Sequence, residues 1–322
     1  MPHASQPPVR IGTRASKLAL AQTGMMQRRI AAALGAEDGR AEGWADELAP
    51  LVRITTTGDR VQDRRLLEIG GKGLFTKEIE EALLDGRIDC AVHSMKDMPA
   101  EGPPGLIIGA APEREDPRDI FLSHKAGSID SLPQGALLGT ASLRRQAQAL
   151  HRRPDLRLLN LRGNVDTRLA KLEAGEADAI ILALSGLKRL GLGDIAGAPI
   201  DPVEQPPAPG QGALAIQVRA EDADAPWLRA LRHRPTEIAV AAERGALMAL
   251  EGSCKTAIGA HARLDGTRLK LIVEALTPDG ARRFRREGET DVGGDSGEAT
   301  ARALGARLGE EVRADGGTAL AL

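Results

Sequence analysis

Short apolar runs alternate with amphipathic helical stretches over the first two thirds of the chain. The first apolar strand, at 9–11, precedes a helix over 17–34, for which Ser16 is a suitable N-cap and Gly35 a terminator. The order recurs further along: strands are predicted at 51–55, 88–93, 136–138, 156–161 and 178–184, and helices at 75–83, 142–149 and 165–173. This alternation predicts a parallel α/β architecture.

The last part of the chain has a different pattern. A helix is predicted over 237–250, followed by strands at 258–264, 269–276 and 281–287 and a helix over 298–312. Asp-Gly pairs at 265–266 and 279–280 separate the strands, and this dipeptide is a strong hairpin signal. We therefore expect a small antiparallel sheet covered by a helix. Proline-rich segments at 112–117 and 199–209 indicate domain boundaries in a chain of 322 residues.

Composition narrows the class of protein. With 43 Lys and Arg against 45 Asp and Glu, and only 3 Phe, 2 Trp and no Tyr, the chain lacks the basic charge and stacking rings typical of nucleic-acid binders. Its two cysteines cannot form a disulfide scaffold, so we expect a reducing cytoplasm. No apolar run approaches the roughly 20 residues that span a bilayer. No H-E-x-x-H or C-x-x-C motif supports a metal site.

Cations and hydroxyl groups recur at the predicted strand-to-helix turns. They are Arg14 and Ser16 at the first turn, Thr140, Ser142, Arg144 and Arg145 at another, and Arg162 and Asn164 at a third. Helix N-termini favour anions, and the guanidinium fork matches carboxylate or phosphate. A single arginine is usually a solvated surface residue, but the recurrence predicts a ligand with several acidic groups. The glycine-rich segment 70–73 lacks the spacing and the Ser or Thr of a Walker A motif.

Two further positions are candidates for chemistry. Asp97 lies beside Lys96, just after a predicted buried strand, where α/β sheets place their ligands. It is a candidate general acid or base tuned by the cation and by burial, although an ordinary Lys-Asp turn explains it equally well. Cys254 follows a helix and precedes Lys255, a setting that favours thiolate. Cys90 is better interpreted as a buried apolar filler.

Eight segments together resemble the porphobilinogen deaminase family. They are IGTRAS at 11–16, GGKGLF at 70–75, VHSMKD at 92–97, REDPRD at 114–119, GTASLRR at 139–145, LRGN at 161–164, GQGA at 210–213 and EGSC at 251–254. They occur in the family's order and spacing, from residue 9 to about 320. The resemblance implies a soluble, monomeric, cytoplasmic transferase of tetrapyrrole biosynthesis, with neither nucleic acid nor membrane as partner. It would join four porphobilinogen molecules into linear hydroxymethylbilane and release four ammonia molecules.

The resemblance also implies an α/β fold in three domains. The first two would be similar to type II periplasmic binding proteins, and the third would be a small α+β domain with a three-stranded antiparallel sheet. Domain 1 would comprise 1–112 and 212–232, domain 2 would comprise 118–206, and domain 3 would comprise 235–322. Gln211 and Gly212 would belong to a hinge strand that returns to the first domain.

The family's functional residues map onto this chain one by one. A dipyrromethane cofactor would be attached by a thioether to Cys254, and Asp97 would be the catalytic carboxylate. The cofactor would be held by Lys96, Asp97, Thr140, Ser142, Arg144 and Arg145, and the substrate and growing chain by Arg14, Ser16, Arg162, Arg168 and Arg189. No metal is implied. Glu68, Ala141 and the segment 253–255 depart from the family's common residues, which leaves binding strength open but removes no central group.

Two alternatives come from other classes of protein. A non-enzymatic binding protein for a small polycarboxylate anion would need neither a covalent group on Cys254 nor Asp97. A transcriptional regulator built on a binding-protein core would need a helix-turn-helix, and the sequence shows no convincing one.

Overall fold

The computed structural model describes residues 7–35, 41–60, 73–250 and 256–320, except the side chains of 41, 42 and 60. Its strands are β1 Ile11–Thr13, β2 Leu51–Arg53, β3 Cys90–Ser94, β4 Leu106–Ala110, β5 Asp119–Leu122, β6 Leu137–Gly139, β7 Arg157–Leu159, β8 Ala179–Ala183, β9 Ala198–Pro199, β10 Leu214–Arg219, β11 Ala257–Asp265, β12 Arg268–Leu276 and β13 Arg283–Asp291. Its α-helices are α1 Lys17–Ala33, α2 Ala41–Leu48, α3 Thr57–Arg60, α4 Lys77–Leu84, α5 Leu143–Arg152, α6 Val165–Glu173, α7 Leu184–Arg189, α8 Pro226–Arg229, α9 Arg234–Leu250 and α10 Gly297–Gly316.

The described residues divide into two compact units. The first unit takes them from the stretches up to residue 60, from 73–114 and from 213–236, and the second from 115–212 and 237–320. The second unit therefore contains both the central α/β part and the C-terminal part of the chain. Division of the whole chain into three domains stays a prediction. None of the described helices is long and apolar enough to cross a membrane.

The first unit is built on one five-stranded mixed sheet. Its order is β2-β1-β3-β10-β4, in which β1 is parallel to β2 and β3, and β10 is antiparallel to both β3 and β4. Strand β10 comes from far along the chain, after the whole central section. Ile11, Met26 and Ile30 pack with Ile216 in its core, so the helix α1 covers one face of the sheet. The expected strand-helix alternation is confirmed here.

The central sheet, in the second unit, repeats that plan. Its order is β7-β6-β8-β5-β9, with β6 parallel to β7 and β8, and β5 antiparallel to β8 and β9. In each sheet the fourth strand, β10 or β5, is antiparallel to both of its neighbours. The predicted strand 156–161 is shorter in the structure, because Leu161 is buried by core packing rather than by pairing in the ladder. The α/β class and the predicted recurrence of the strand-helix order in this part of the chain are confirmed.

The C-terminal sheet has the order β11-β12-β13 and is wholly antiparallel, as predicted. Gly266 has φ +58° and Gly280 has φ +71°, the left-handed conformation that each Asp-Gly hairpin requires. Helix α10 packs closely on α9: a Cβ at Gly305 would lie 1.9 Å from the carbonyl oxygen of Ala242. The third strand extends beyond the predicted end at 287, because its polar outer half pairs fully with β12.

A buried ion cluster fixes the start of α5 in the second unit. The Asp119 carboxylate, at the first residue of β5, accepts from Arg144 Nη1 at 2.8 Å, Arg145 Nη2 at 2.7 Å and Gln211 Nε2 at 2.8 Å. The Asp119 side chain is 0% exposed and both arginine side chains are 6% exposed. Burial alone would raise the pKa of Asp119, but the charges and hydrogen bonds of both guanidinium groups hold it well below its usual range.

We predict that Asp119→Asn lowers the free energy of unfolding by about 3–5 kcal/mol, because it leaves two buried guanidinium groups without their carboxylate. Urea unfolding measures the loss. Asp130→Asn is the matched control: its carboxylate pairs with Arg152, and its side chain is 49% exposed. It should cost less than about 1 kcal/mol. Equal losses in the two variants would contradict the account.

Candidate functional site

Side chains cap three helices that begin beside predicted site residues, and Ser16 does so as predicted. Ser16 Oγ accepts from the backbone N–H of Ala19, and Ser142 Oγ accepts from that of Arg145. Asn164 caps α6 in the same way. These caps fix where the first turn of each helix begins and therefore where its neighbouring cations lie.

A pocket in the first unit lies at the C-terminal ends of β1 and β3. Its lining includes Arg14, Ser16, Gln22, Phe75, His93 and Asp97. The chain therefore brings together the first predicted cationic turn and the predicted catalytic carboxylate. The edge of a mixed sheet at these strand ends is where α/β proteins bind their ligands.

Arg14 is held in this pocket from two sides. Its Nη2 lies 2.5 Å from Asp59 Oδ1, and its guanidinium carbon lies 4.2 Å from the centroid of the Phe75 ring. Asp59 also accepts from the Thr56 hydroxyl at 2.7 Å. Burial alone would raise the pKa of Asp59, but the hydrogen bonds and the Arg14 charge bring it below its usual value. This arrangement orients the guanidinium toward a ligand before one binds.

Asp97 ends a short 3₁₀ turn, Met95–Asp97, that directly follows β3. The turn is tied to the sheet by the Met95 N–H, which donates to the Ala213 carbonyl at 3.0 Å. Asp97 is exposed and Lys96 is half-buried. The expectation that Asp97 is buried is therefore wrong: the residue is exposed and lines the pocket.

The predicted cations of the second unit are more buried than a surface turn implies. Arg144 and Arg145 face Asp119 within the protein, so these two side chains do not simply project from the helix start. Arg144 Nη1 also donates to Gln148 at 2.8 Å, which in turn donates to Glu274 at 2.6 Å. That second carboxylate already pairs with an arginine of β13. One carboxylate thus faces two guanidinium groups, which leaves an excess of positive charge.

Among the predicted binding residues of this unit, three guanidinium N–H groups are buried with no hydrogen-bond partner among the described residues. They are Arg144 Nε, Arg162 Nη1 and Arg189 Nε. Burial lowers the pKa of Arg189 to about 10, although Glu115 opposes the shift. A buried donor without an acceptor is costly, so each of these groups is suited to an acidic ligand. The donor set fits a molecule that carries several carboxylates.

Two other predicted residues bond to nearby polar groups. Arg168 Nε donates to the Gly163 carbonyl at 2.9 Å, and Thr140 Oγ1 accepts from the Ser142 N–H at 3.2 Å. Arg189 Nη2 donates to the Gly212 carbonyl at 2.5 Å, so it is tied to the predicted hinge segment. These bonds orient the side chains on the turn that the sequence predicted.

Cys254 and Glu68 lie outside the described residues. Cys90 lies in β3 and is 0% exposed. Burial, with the nearby Asp89 charge, raises the pKa of its thiol well above the usual range. The interpretation of Cys90 as an apolar filler is confirmed, since a buried neutral thiol is a poor nucleophile.

Comparisons with known proteins decide the family. A model described as the porphobilinogen deaminase dipyromethane cofactor binding domain matches residues 9–226, and one described as the porphobilinogen deaminase C-terminal domain matches 237–314. The chain belongs to the porphobilinogen deaminase family. The porphobilinogen deaminase of Caulobacter vibrioides strain NA1000 is 69% identical over 317 residues, covering 98% of each chain. That of Phenylobacterium zucineum is 67% identical over 320 residues, covering 99% of each.

Solved structures match the chain more weakly. A putative lipoprotein from Ruminococcus gnavus matches 72% of this chain and 94% of its own, at 10% identity and a TM-score of 0.42. A YaeC-family lipoprotein from Enterococcus faecalis matches 70% and 90%, at 11% identity and a TM-score of 0.41.

We predict that Cys90 does not react with a thiol reagent in the folded protein, because its thiol is buried and neutral. Cys254→Ala leaves Cys90 as the sole cysteine of the chain. In that variant, absorbance should show no labelling of Cys90 under native conditions and complete labelling in concentrated guanidinium chloride. Rapid labelling of the folded variant would show that Cys90 is accessible.

Proposed function

We propose that this chain joins four porphobilinogen molecules head to tail into linear hydroxymethylbilane and releases four ammonia molecules, as a step of tetrapyrrole biosynthesis. Its family membership over nearly the whole chain supports the reaction. The structural observation that carries the proposal is the set of buried guanidinium N–H groups without acceptors, together with Asp97 in a pocket beside Arg14. Relatives of this identity, described as deaminases, do not support a non-enzymatic binding protein.

The ligand's charge explains the need for so many arginines. Porphobilinogen carries an acetate and a propionate, so each ring adds two carboxylates to the growing chain. Arginine binds a carboxylate through two parallel N–H groups and stays charged when buried. We assign the incoming substrate and growing chain to Arg14 and Ser16 of the first unit and to Arg162, Arg168 and Arg189 of the second.

The family's dipyrromethane is also a polycarboxylate, and the residues of this chain fit it. Arg144 and Arg145, with their excess of positive charge, would hold its carboxylates, assisted by the hydroxyls of Thr140 and Ser142 and by Lys96. When bound, the cofactor supplies the primer to which new rings are added. We assign its thioether to Cys254, because the other cysteine, Cys90, is buried as a neutral thiol.

Asp97 is the proposed catalytic carboxylate. It lies at the pocket and accepts hydrogen bonds from ring N–H groups of the substrate. When the bond between carbon and the aminomethyl nitrogen breaks, positive charge develops on the substrate ring, and a fixed carboxylate stabilises it. Arg14 holds the acidic side chains of the same ring, so the reacting carbon is kept near Asp97.

The setting of the enzyme is part of the proposal. We infer a cytoplasmic monomer of three domains, which comprise 1–112 with 212–232, 118–206, and 235–322. Porphobilinogen would be its partner, with no nucleic acid, membrane or metal. The near-balanced charge and the scarcity of aromatic rings support the exclusion of nucleic acid.

We predict that Cys254→Ala loses its covalent cofactor, whereas Cys90→Ala retains it. Intact mass under denaturing conditions measures both. Wild type and Cys90→Ala should exceed their sequence masses by one dipyrromethane, and Cys254→Ala should not. A covalent group still present on Cys254→Ala would place the attachment elsewhere.

We predict that Asp97→Asn folds but loses nearly all turnover, with a fall in kcat of at least about 100-fold, because the amide cannot replace the carboxylate charge. Porphobilinogen consumption and the urea midpoint should be measured on the same preparation. Asp166→Asn, on α6, is a control of the same chemistry and should keep normal turnover. Near-normal turnover of Asp97→Asn would remove the assigned role.

A further inference from the structure

His93 is a buried histidine to which neither the sequence nor the family resemblance gave a role. It lies in β3, four residues before Asp97, and lines the same pocket of the first unit. His93 is only 6% exposed. A buried imidazole beside a ligand pocket is either a packed core residue or a binding group, and its hydrogen bonds distinguish the two.

The first hydrogen bond of the His93 side chain is to Gln217 of β10. His93 Nε2 lies 3.1 Å from Gln217 Oε1, and Gln217 Nε2 donates to Glu80 Oε1 at 3.1 Å. A carboxylate accepts hydrogen bonds, so the Gln217 amide must turn its nitrogen to Glu80 and its oxygen to His93. The imidazole therefore donates from Nε2–H, and this chain of three residues fixes its tautomer.

The other ring nitrogen, Nδ1, is left as an acceptor. Burial, together with the nearby Arg14 charge, lowers the pKa of His93 to about 4, against the opposing effect of the Gln217 bond. The ring is therefore neutral near pH 7, and Nδ1 carries a bare lone pair. No hydrogen bond to Nδ1 is present among the residues that the structure describes.

A second polar group of the pocket is also without a partner. Thr76 lines it, is 1% exposed, and has no hydrogen bond to its hydroxyl oxygen within the described residues. By contrast, Gln22 and Ser94, which line the same pocket, bond to each other at 3.0 Å. Unpaired polar groups are costly when water is excluded. His93 Nδ1 and the Thr76 hydroxyl therefore indicate that the pocket binds a polar ligand.

We propose that His93 is a further substrate-binding residue, whose Nδ1 accepts a hydrogen bond from the pyrrole N–H of porphobilinogen. Arg14 recognises the acidic side chains, and the single pyrrole N–H is shared between two acceptors, Asp97 and His93. The pocket thus distinguishes a ring that carries both carboxylates and an N–H donor from a simple polycarboxylate. This assignment rests on the proposed function.

Two substitutions separate the two ring nitrogens. His93→Gln can keep the bond to Gln217 but offers nothing at the position of Nδ1, whereas His93→Asn places an amide oxygen there and loses the bond to Gln217. His151→Gln is the control: His151 bonds the Gly280 carbonyl in the second unit and is not among the residues that line this pocket. Urea midpoints of all variants show whether each is folded.

We expect His93→Gln to raise KM for porphobilinogen about tenfold with kcat changed less than about twofold, as loss of one hydrogen bond predicts. His93→Asn should stay within about threefold of wild-type KM, and His151→Gln should be unchanged. A purely structural role gives the reverse order, with His93→Gln normal and His93→Asn impaired, and overturns the proposal.

A spectroscopic measurement tests the bond without turnover. In ¹⁵N spectra of the histidine side chains of Asp97→Asn, the signal lost in the additional His93→Gln variant identifies His93. Added porphobilinogen should shift its Nδ1 resonance in the direction of hydrogen-bond acceptance. An unshifted Nδ1 at saturation contradicts the proposal. If wild-type enzyme leaves porphobilinogen unchanged, the proposed function fails instead, and this assignment fails with it.

Discussion

One buried carboxylate, that of Asp119, pairs with two adjacent guanidinium groups. The proposed ligand chemistry of the second unit depends on the excess of positive charge that results. Asp119 fixes Arg144 and Arg145 at the capped start of α5 and also binds Gln211. Removing charges from water is costly, so a buried cluster with more cations than anions favours further anionic partners. The polycarboxylate ligand that we propose would provide those partners. The same carboxylate would then serve folding, by pairing the arginines, and the proposed binding, by holding them in place.

The fold was predictable wherever the signal is local. Ser16 caps its helix, and the Asp-Gly turns form both hairpins of the C-terminal sheet, because each depends on the geometry of a few neighbouring residues. Strand ends were less predictable: Leu161 is apolar because it fills a core, and the polar end of β13 is a strand because a partner pairs with it. Pairing across the sheet leaves no mark in the pattern of a single strand.

The cationic turns and Asp97 were also visible in the sequence, since chemistry clusters at strand ends. The acidic residues that pair with these arginines were not visible in the sequence. Asp59 lies 45 residues from Arg14, and Asp119 lies 25 residues from Arg144, so only the fold brings them together. His93 stood in a recognised segment, but its role needs the orientation of Gln217, 124 residues away. The sequence thus indicated candidate acid-binding groups, and the structure shows which residues of the protein hold them.

The central claim is that this chain transforms porphobilinogen rather than merely binding it, and the stoichiometry of its products tests that claim most directly. Purified wild-type enzyme should be incubated with porphobilinogen, with ammonia and linear hydroxymethylbilane quantified in the same reaction. The account predicts four ammonia molecules released for each hydroxymethylbilane formed. Recovery of bound porphobilinogen unchanged, with no ammonia, would contradict it and favour a binding protein.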